Sequence, residues 1–350
     1  VITAPGAKED SEGTGAILNI VTNDDTEFAG IMGMLSAQAG TNKSPGANIW
    51  LTSNVGKVNL SVNGGYFHID RKMAHNDGYI EQTYTDSGNR LISKSSSEGW
   101  GDVGFWGFDG SYELDSLNLF TAEFNGFAQN INGEGLTSSI QTSPDGSPLF
   151  SYDTRLTGKP YGRYISFNGG INYQRMTRRK GETITLLYQI ANSRNKSDQE
   201  STYDNLFNFP APYHAMIALS DQKFLEQTAQ ADWARPIFKN GNLSVGGKFI
   251  HRNNHATGSN EYISEQSTFR ATNFIHTTSI SALYADYRHT FGPLSARAGL
   301  RYEYSHMKAK FKDGSEPDFS SNLNDWVPNL SVMWNVNDAN SLKLSYTCLL

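Results

Sequence analysis

The 350 residues are 37% hydrophobic, 18% charged and 12% aromatic, with 33 Gly, 11 Pro and one Cys. No run approaches 18 consecutive apolar residues, which excludes a helical membrane protein, and the 17 Tyr, 19 Phe and 6 Trp exclude a disordered chain. A formal net charge of -6 leaves no footprint for nucleic acid, and Cys348 alone can build neither a disulfide framework nor a Cys-based metal site. Val1 opens the chain without a basic region followed by an apolar one, so a mature, excised or partial chain is expected.

Residues 1–25 stand apart from the rest of the chain. Pro5-Gly6 is a turn signal, Gly13 and Gly15 permit positive φ and close backbone approach, and residues 16–21 read as a short buried strand that contains Asn19. Gly13-Thr14-Gly15 is not a nucleotide loop, because the third Gly is absent and no βαβ pattern comes after it.

From residue 26 onward the dominant signal is period-2 alternation. Strands are expected near 27–39, 47–54, 57–69, 100–113, 117–130, 161–177, 183–197, 223–238, 243–256, 276–291, 294–309, 325–337 and 341–350, about 13 in all. In residues 294–304 one face carries Leu294, Ala296, Ala298, Leu300, Tyr302 and Tyr304, and the other carries Ser295, Arg297, Gly299, Arg301 and Glu303. The same split separates Ile165, Phe167, Gly169, Ile171 and Tyr173 from Ser166, Asn168, Gly170 and Asn172. Runs of about 10–16 residues with one apolar face suit strands that tilt across a bilayer around a wet lumen.

The links between strands alternate in length. Short turns at 55–57, 114–116, 179–181, 239–242, 291–293 and 337–340 are expected to face one side. Long loops near 70–99, 131–160, 198–222, 257–275 and 310–324 are expected on the other, the brief 41–46 link excepted. Short turns on one side and long loops on the other mark an outer-membrane barrel. The fold class is therefore all-β: an antiparallel up-and-down transmembrane β-barrel. An odd number of strands ending inside a strand implies a partial wall, because single-chain bacterial barrels have even counts and unpaired edges in lipid are costly.

Few residues point to reaction chemistry. His251 and His255 on one strand face would lie about 13 Å apart, too far for one ion, so they read as polar residues at a strand–loop boundary. Asp24, Asp25 and Glu27 supply too few oxygen ligands for calcium. Asp221, His214 and Ser220 do not define a nucleophile with its base. Neither enzyme activity, nor a metal, nor a cofactor is expected. Trp100, Trp106, Tyr112, Tyr161, Tyr164, Trp233, Phe238, Phe291, Trp326 and Trp334 read as outward, interfacial aromatics. Tyr79, Tyr84, Phe150, Tyr152, Tyr203, Phe207, Phe209 and Tyr213 fall in the long loops. There they either pack loop on loop or touch a ligand; Tyr79, Tyr84, Tyr152, Tyr203, Phe207 and Tyr213 are the candidate substrate contacts.

The opening stretch closely resembles the end of the plug domain of TonB-dependent outer-membrane receptors. The matching positions are Val1-Ile2, Pro5-Gly6, Gly13 to Gly15 and Asn19 to Thr22. Its wording, with Lys248 to Asn254, Gly299 to Glu303, Trp326 to Ser331 and Leu342 to Thr347, looks most like the Bacteroidetes-type outer-membrane β-barrel family. The resemblance implies residues 1–25 as a plug end and 26–350 as the first part of a barrel of about 22 strands. It also implies energy-coupled uptake of a scarce nutrient across the outer membrane of a Gram-negative bacterium. The partners would be membrane lipid, the periplasmic TonB protein and an extracellular ligand. A passive porin or structural barrel, and a secreted β-rich binding module or adhesin, are the alternatives.

Overall fold

The computed structural model describes residues 29–348 apart from 42, 72, 73, 338 and 339. The expected plug end, with Pro5, Gly6, Gly13, Gly15 and Asn19, lies outside the described residues. The described secondary structure is entirely strand: β1 (Gly30–Gln38), β2 (Gly46–Val55), β3 (Val58–Ile69), β4 (His75–Thr83), β5 (Arg90–Asp115), β6 (Asn118–Thr142), β7 (Pro148–Met176), β8 (Thr183–Phe207), β9 (Ala215–Ile237), β10 (Gly241–Ile263), β11 (Thr268–Phe291), β12 (Leu294–Phe311), β13 (Phe319–Asn337) and β14 (Asn340–Thr347). They form one antiparallel sheet in sequence order, and the backbone of each strand lies close only to that of its ladder neighbours. Among the described residues β1 and β14 each pair on one side and do not meet.

Each strand expected from alternation has a counterpart, and one is added. β4 pairs with Arg90–Glu98 of β5, directly beyond the stretch of β5 that pairs with β3. β3 and β4 are therefore one long edge along β5, interrupted at residues 70–74. The expected long loops require a larger correction. Residues 90–99, 131–142, 148–160, 198–207, 215–222, 257–263, 268–275, 310–311 and 319–324 are strand, so β5 reaches 26 residues and β7 reaches 29. The connections at that end shrink to 84–89, 143–147, 208–214, 264–267 and 312–318. The physical reason lies in composition. The apolar alternation of the outer face breaks down there, but the ladder continues through polar pairs such as Lys94↔Ser138 and Glu98↔Glu134.

At the opposite end the hairpins are tight. Gly56 and Gly292 take φ of +62° and +56°, the left-handed conformation that a two-residue hairpin requires.

The register sorts side chains into two faces. One row runs Asp232, Gly246, Tyr284, Arg301, Val327 across β9–β13 on the inner face. A neighbouring outer row carries Leu283, Tyr302 and Trp326, with Leu283 and Trp326 68% and 62% exposed. Arg301 and Glu303 are 1% and 2% exposed, whereas Leu300, next to Arg301 in sequence, is 44% exposed. The outward aromatics behave as expected at Trp106, Tyr112, Phe291, Trp326 and Trp334, which are all exposed on the outer face. Tyr164 does not: it shares the inner face with Phe127, ring centroids 6.0 Å apart. Its strand parity places it opposite Ile165.

Candidate functional site

Two inner-face features carry recognition chemistry, one at the tip of the wall and one near the tight turns. The tip feature forms where β7, β8, β10 and the 208–214 turn converge. Thr154 pairs with Tyr203, Ser201 with Met216, and Met216 with Tyr262, which aligns these residues on one face. The turn is tied down on both sides: Tyr203 N–H donates to the His214 carbonyl (2.8 Å), and His214 N–H donates to the Ile263 carbonyl (3.0 Å). Asn205 and Asn208 adopt φ of +52° and +46°, which Asn tolerates better than most residues, and Asn208 Nδ2 donates to the Leu149 carbonyl at 3.2 Å.

Six rings meet there. Tyr152 and Tyr203 each lie 5.0 Å from Phe209. Tyr203 lies 5.6 Å from Tyr213, Tyr213 lies 4.9 Å from Tyr262, and Phe150 lies 5.9 Å from Tyr152. Burial pushes the Tyr203 phenol above its ordinary pKa, and the neighbouring Tyr213 and Tyr152 add to the shift. The phenol therefore stays protonated and can donate a hydrogen bond. Rings at these separations are mutually stabilising, and, meeting mostly edge to face, they form a half-buried amphipathic cluster.

Of the sequence candidates, Tyr152, Tyr203 and Tyr213 come together. Tyr79 lies on β4, where its hydroxyl donates to Glu81 at 2.8 Å; Tyr84 lies in the turn after β4, and Phe207 ends β8, 45% exposed. Tyr152, Tyr203 and Phe207 are strand residues rather than loop residues. Tyr262 escaped notice because β10 runs seven positions past the expected boundary at 256. Extending the even-numbered inner face of β10 beyond Asn254 would have found it.

The second feature is a polar recess of about 620 Å³ that crosses the inner face from β3 to β9. Asp109 and Glu123 stand directly opposite one another in it. Gln230 Nε2 donates to Asp232 Oδ2 at 2.8 Å, and Tyr284 reaches across β10 to donate its hydroxyl to Asp232 Oδ1 at 2.6 Å. The crossing passes over Gly246, where an added Cβ would lie 2.6 Å from both Asp232 Oδ1 and the Tyr284 ring. Farther along the sheet, Arg297 Nε contacts both Asp286 carboxylate oxygens at 2.8 Å, and Arg301 Nε donates to Glu303 Oε2 at 2.8 Å. These arrangements hold polar groups in place.

A sequence-family model described as the outer membrane protein beta-barrel family matches residues 174–348, half of the chain. The chain belongs to that family. The match covers β8 to β14, where both the alternation and the buried inner face are strongest. Membership places this outer membrane β-barrel protein in the outer membrane, with the apolar face of its strands toward lipid. Among solved structures it is similar to the ferric yersiniabactin uptake receptor FyuA from Yersinia pestis, at 8% identity and a TM-score of 0.28, over 91% of this chain and 68% of that one. No curated protein matches the chain.

Proposed function

We propose that this outer-membrane barrel is part of a TonB-dependent receptor that takes up a scarce nutrient, and that it binds and transports rather than catalyses. The observation that carries the reading is the state of the inner face. Arg301, Glu303, Asp286 and Asn329 are buried on the side that an open pore would leave to water. Burial of charged and polar lumen-face groups on β11–β13 fits a plugged receptor better than a passive porin. The plug-end resemblance of residues 1–25 supports the same reading. The tight turns 178–182 and 239–242 are then periplasmic, and the aromatic tip cluster faces outward to meet the ligand. The Bacteroidetes-type assignment belongs to this proposal, on the wording of residues 248–254, 299–303 and 326–331.

Planar-bilayer recording tests it. A plugged receptor gives no steady conductance at rest, whereas a persistent ohmic current would favour the porin alternative. In intact cells, a single Cys introduced at Ser143 should react with an impermeant reagent and one at Gly181 should not; the reverse pattern would invert the orientation.

A further inference from the structure

The lipid-facing side of β3–β8 carries an indentation of about 520 Å³ close to the tight turns. Register explains it. Leu60, Gly110, Ala122 and Ile171 form one outer row across β3, β5, β6 and β7. The two small residues lie side by side and make a floor between the two branched ones. Phe120 and Tyr173, stacked with centroids 4.6 Å apart, wall the side toward the turns. A Cβ added at Gly110 would lie 3.3 Å from the ring of Phe108, so a larger residue there would start to fill the hollow.

The turn-side end of the hollow is cationic. Arg175 lies two positions beyond Tyr173 on the same face, between Asn118 and Ile184. Arg178, Arg179 and Lys180 come next in the β7–β8 turn, and all four are exposed. Two carboxylates flank these cations and already hold other donors, although Glu182 also feels the charge of Arg179. Asp115 accepts from the Leu117 amide and Asn118 Nδ2, and Glu182 accepts from Thr177 and Trp233.

We propose that this hollow is a binding site for an anionic phospholipid of the leaflet at the tight-turn end. One acyl chain would lie over Gly110 and Ala122, and the phosphate would sit on Arg175 and the 178–180 cations. Two observations select this occupant. The hollow is continuous with the face that already meets hydrocarbon, and positive charge stands at its headgroup end only. Each basic residue near a membrane surface is worth about 1 kcal/mol toward anionic lipid, or about fivefold in affinity.

The experiment is native mass spectrometry of the detergent-solubilised protein after exchange with phosphatidylglycerol or phosphatidylcholine, with folding confirmed by heat-dependent gel mobility. The unaltered protein should retain phosphatidylglycerol at least about fivefold better than phosphatidylcholine. Ala122→Phe should reduce retention of both. The quadruple change Arg175→Gln, Arg178→Gln, Arg179→Gln, Lys180→Gln should remove the preference and leave phosphatidylcholine retention unchanged. Equal retention of the two lipids by the unaltered protein would overturn the proposal, as would unchanged retention in folded Ala122→Phe. Displacement by excess free glycerol phosphate would reduce the site to an ion site. A two-copy species lost on Ala122→Phe would assign the hollow to a second copy of the chain. Should Ala122→Phe fail to fold, the quadruple variant at exposed positions decides alone: a surviving preference refutes the site.

Discussion

The turn-side and tip halves of β5–β11 share one continuous ladder and differ in what their outer faces meet. Near the turns the outer face presents Tyr112, Phe120, Ile171, Leu186 and Tyr188, each at least 41% exposed. Toward the tips it presents ion pairs: Arg71 with Glu134 at 3.2 Å, Arg90 with Glu81 at 2.7 Å, and Arg194 with Asp221. A strand needs about 9–11 residues to cross the hydrocarbon, and β7 has 29. The surplus is a wall standing in water. Backbone pairing is thus indifferent to the solvent outside it, and the side chains alone record where lipid ends.

That contrast can be broken in graded steps. The largest effect is expected on the inner face. Arg301→Ala removes one partner of a buried pair and should cost about 3–5 kcal/mol, read as a lower urea midpoint for unfolding from vesicles. A cost under about 1 kcal/mol, the range of exposed pairs, would mean that the inner face is not buried there.

Next comes the outer face. Leu300→Arg, in the lipid-facing half, should cost about 2–4 kcal/mol and lower the folded fraction in liposomes. Leu136→Arg is equally outward but lies in the tip half of β6, 46% exposed, and should change stability by less than about 0.5 kcal/mol. Similar losses at both sites would erase the distinction between the halves.

Tyr203→Ala should release several ring contacts worth about 0.5–1.5 kcal/mol each. Hydrogen exchange should speed up across 203–214 and near Tyr262, while the turn-side half keeps its protection. Uniform acceleration would show that the tip does not form a separate cooperative unit.

The smallest effect concerns pH. Hydrogen bonding from Arg194, helped by its charge, holds the Asp221 carboxyl below its ordinary pKa. A depressed carboxylate contributes stability that is fully present above the ordinary value and is lost as pH falls through the depressed one. Asp221→Asn should flatten that acid limb, with a change of at most about 1 kcal/mol at neutral pH because Arg194 is largely exposed. An unaltered acid limb would remove the pair from the account.

How much of this was legible depended on what each stretch of sequence touches. Residues 294–304 declared both faces, because lipid demands Leu300 and a polar inner face demands Arg301 and Glu303. The segment at 75–83, His-Asn-Asp-Gly-Tyr-Ile-Glu-Gln-Thr, has no apolar stripe and reads as loop, although it pairs with β5 residue by residue. The tip extensions hid for the same reason. At the candidate site, Tyr152, Tyr203 and Tyr213 were visible as aromatics, but their meeting was not. Their alignment depends on register shifts between Gly158 and Arg163 and between Ser151 and Asp153, and no spacing in the sequence announces a bulge.

The neighbour-only ladder also bears on how the wall is assembled. Because no strand crosses over another to find its partner, each new strand meets a template laid down by the segment immediately before it. Growth can therefore proceed hairpin by hairpin, with loop closures that stay short and local contacts that form early. The exposed edge at any moment belongs to the newest strand, and the next one covers it. A misplaced register would then arise at one seam and be passed on to every later strand. The bulges near Ile131 and Gly158 become registration marks as well as bends, because they admit only one alignment of the longest hairpins.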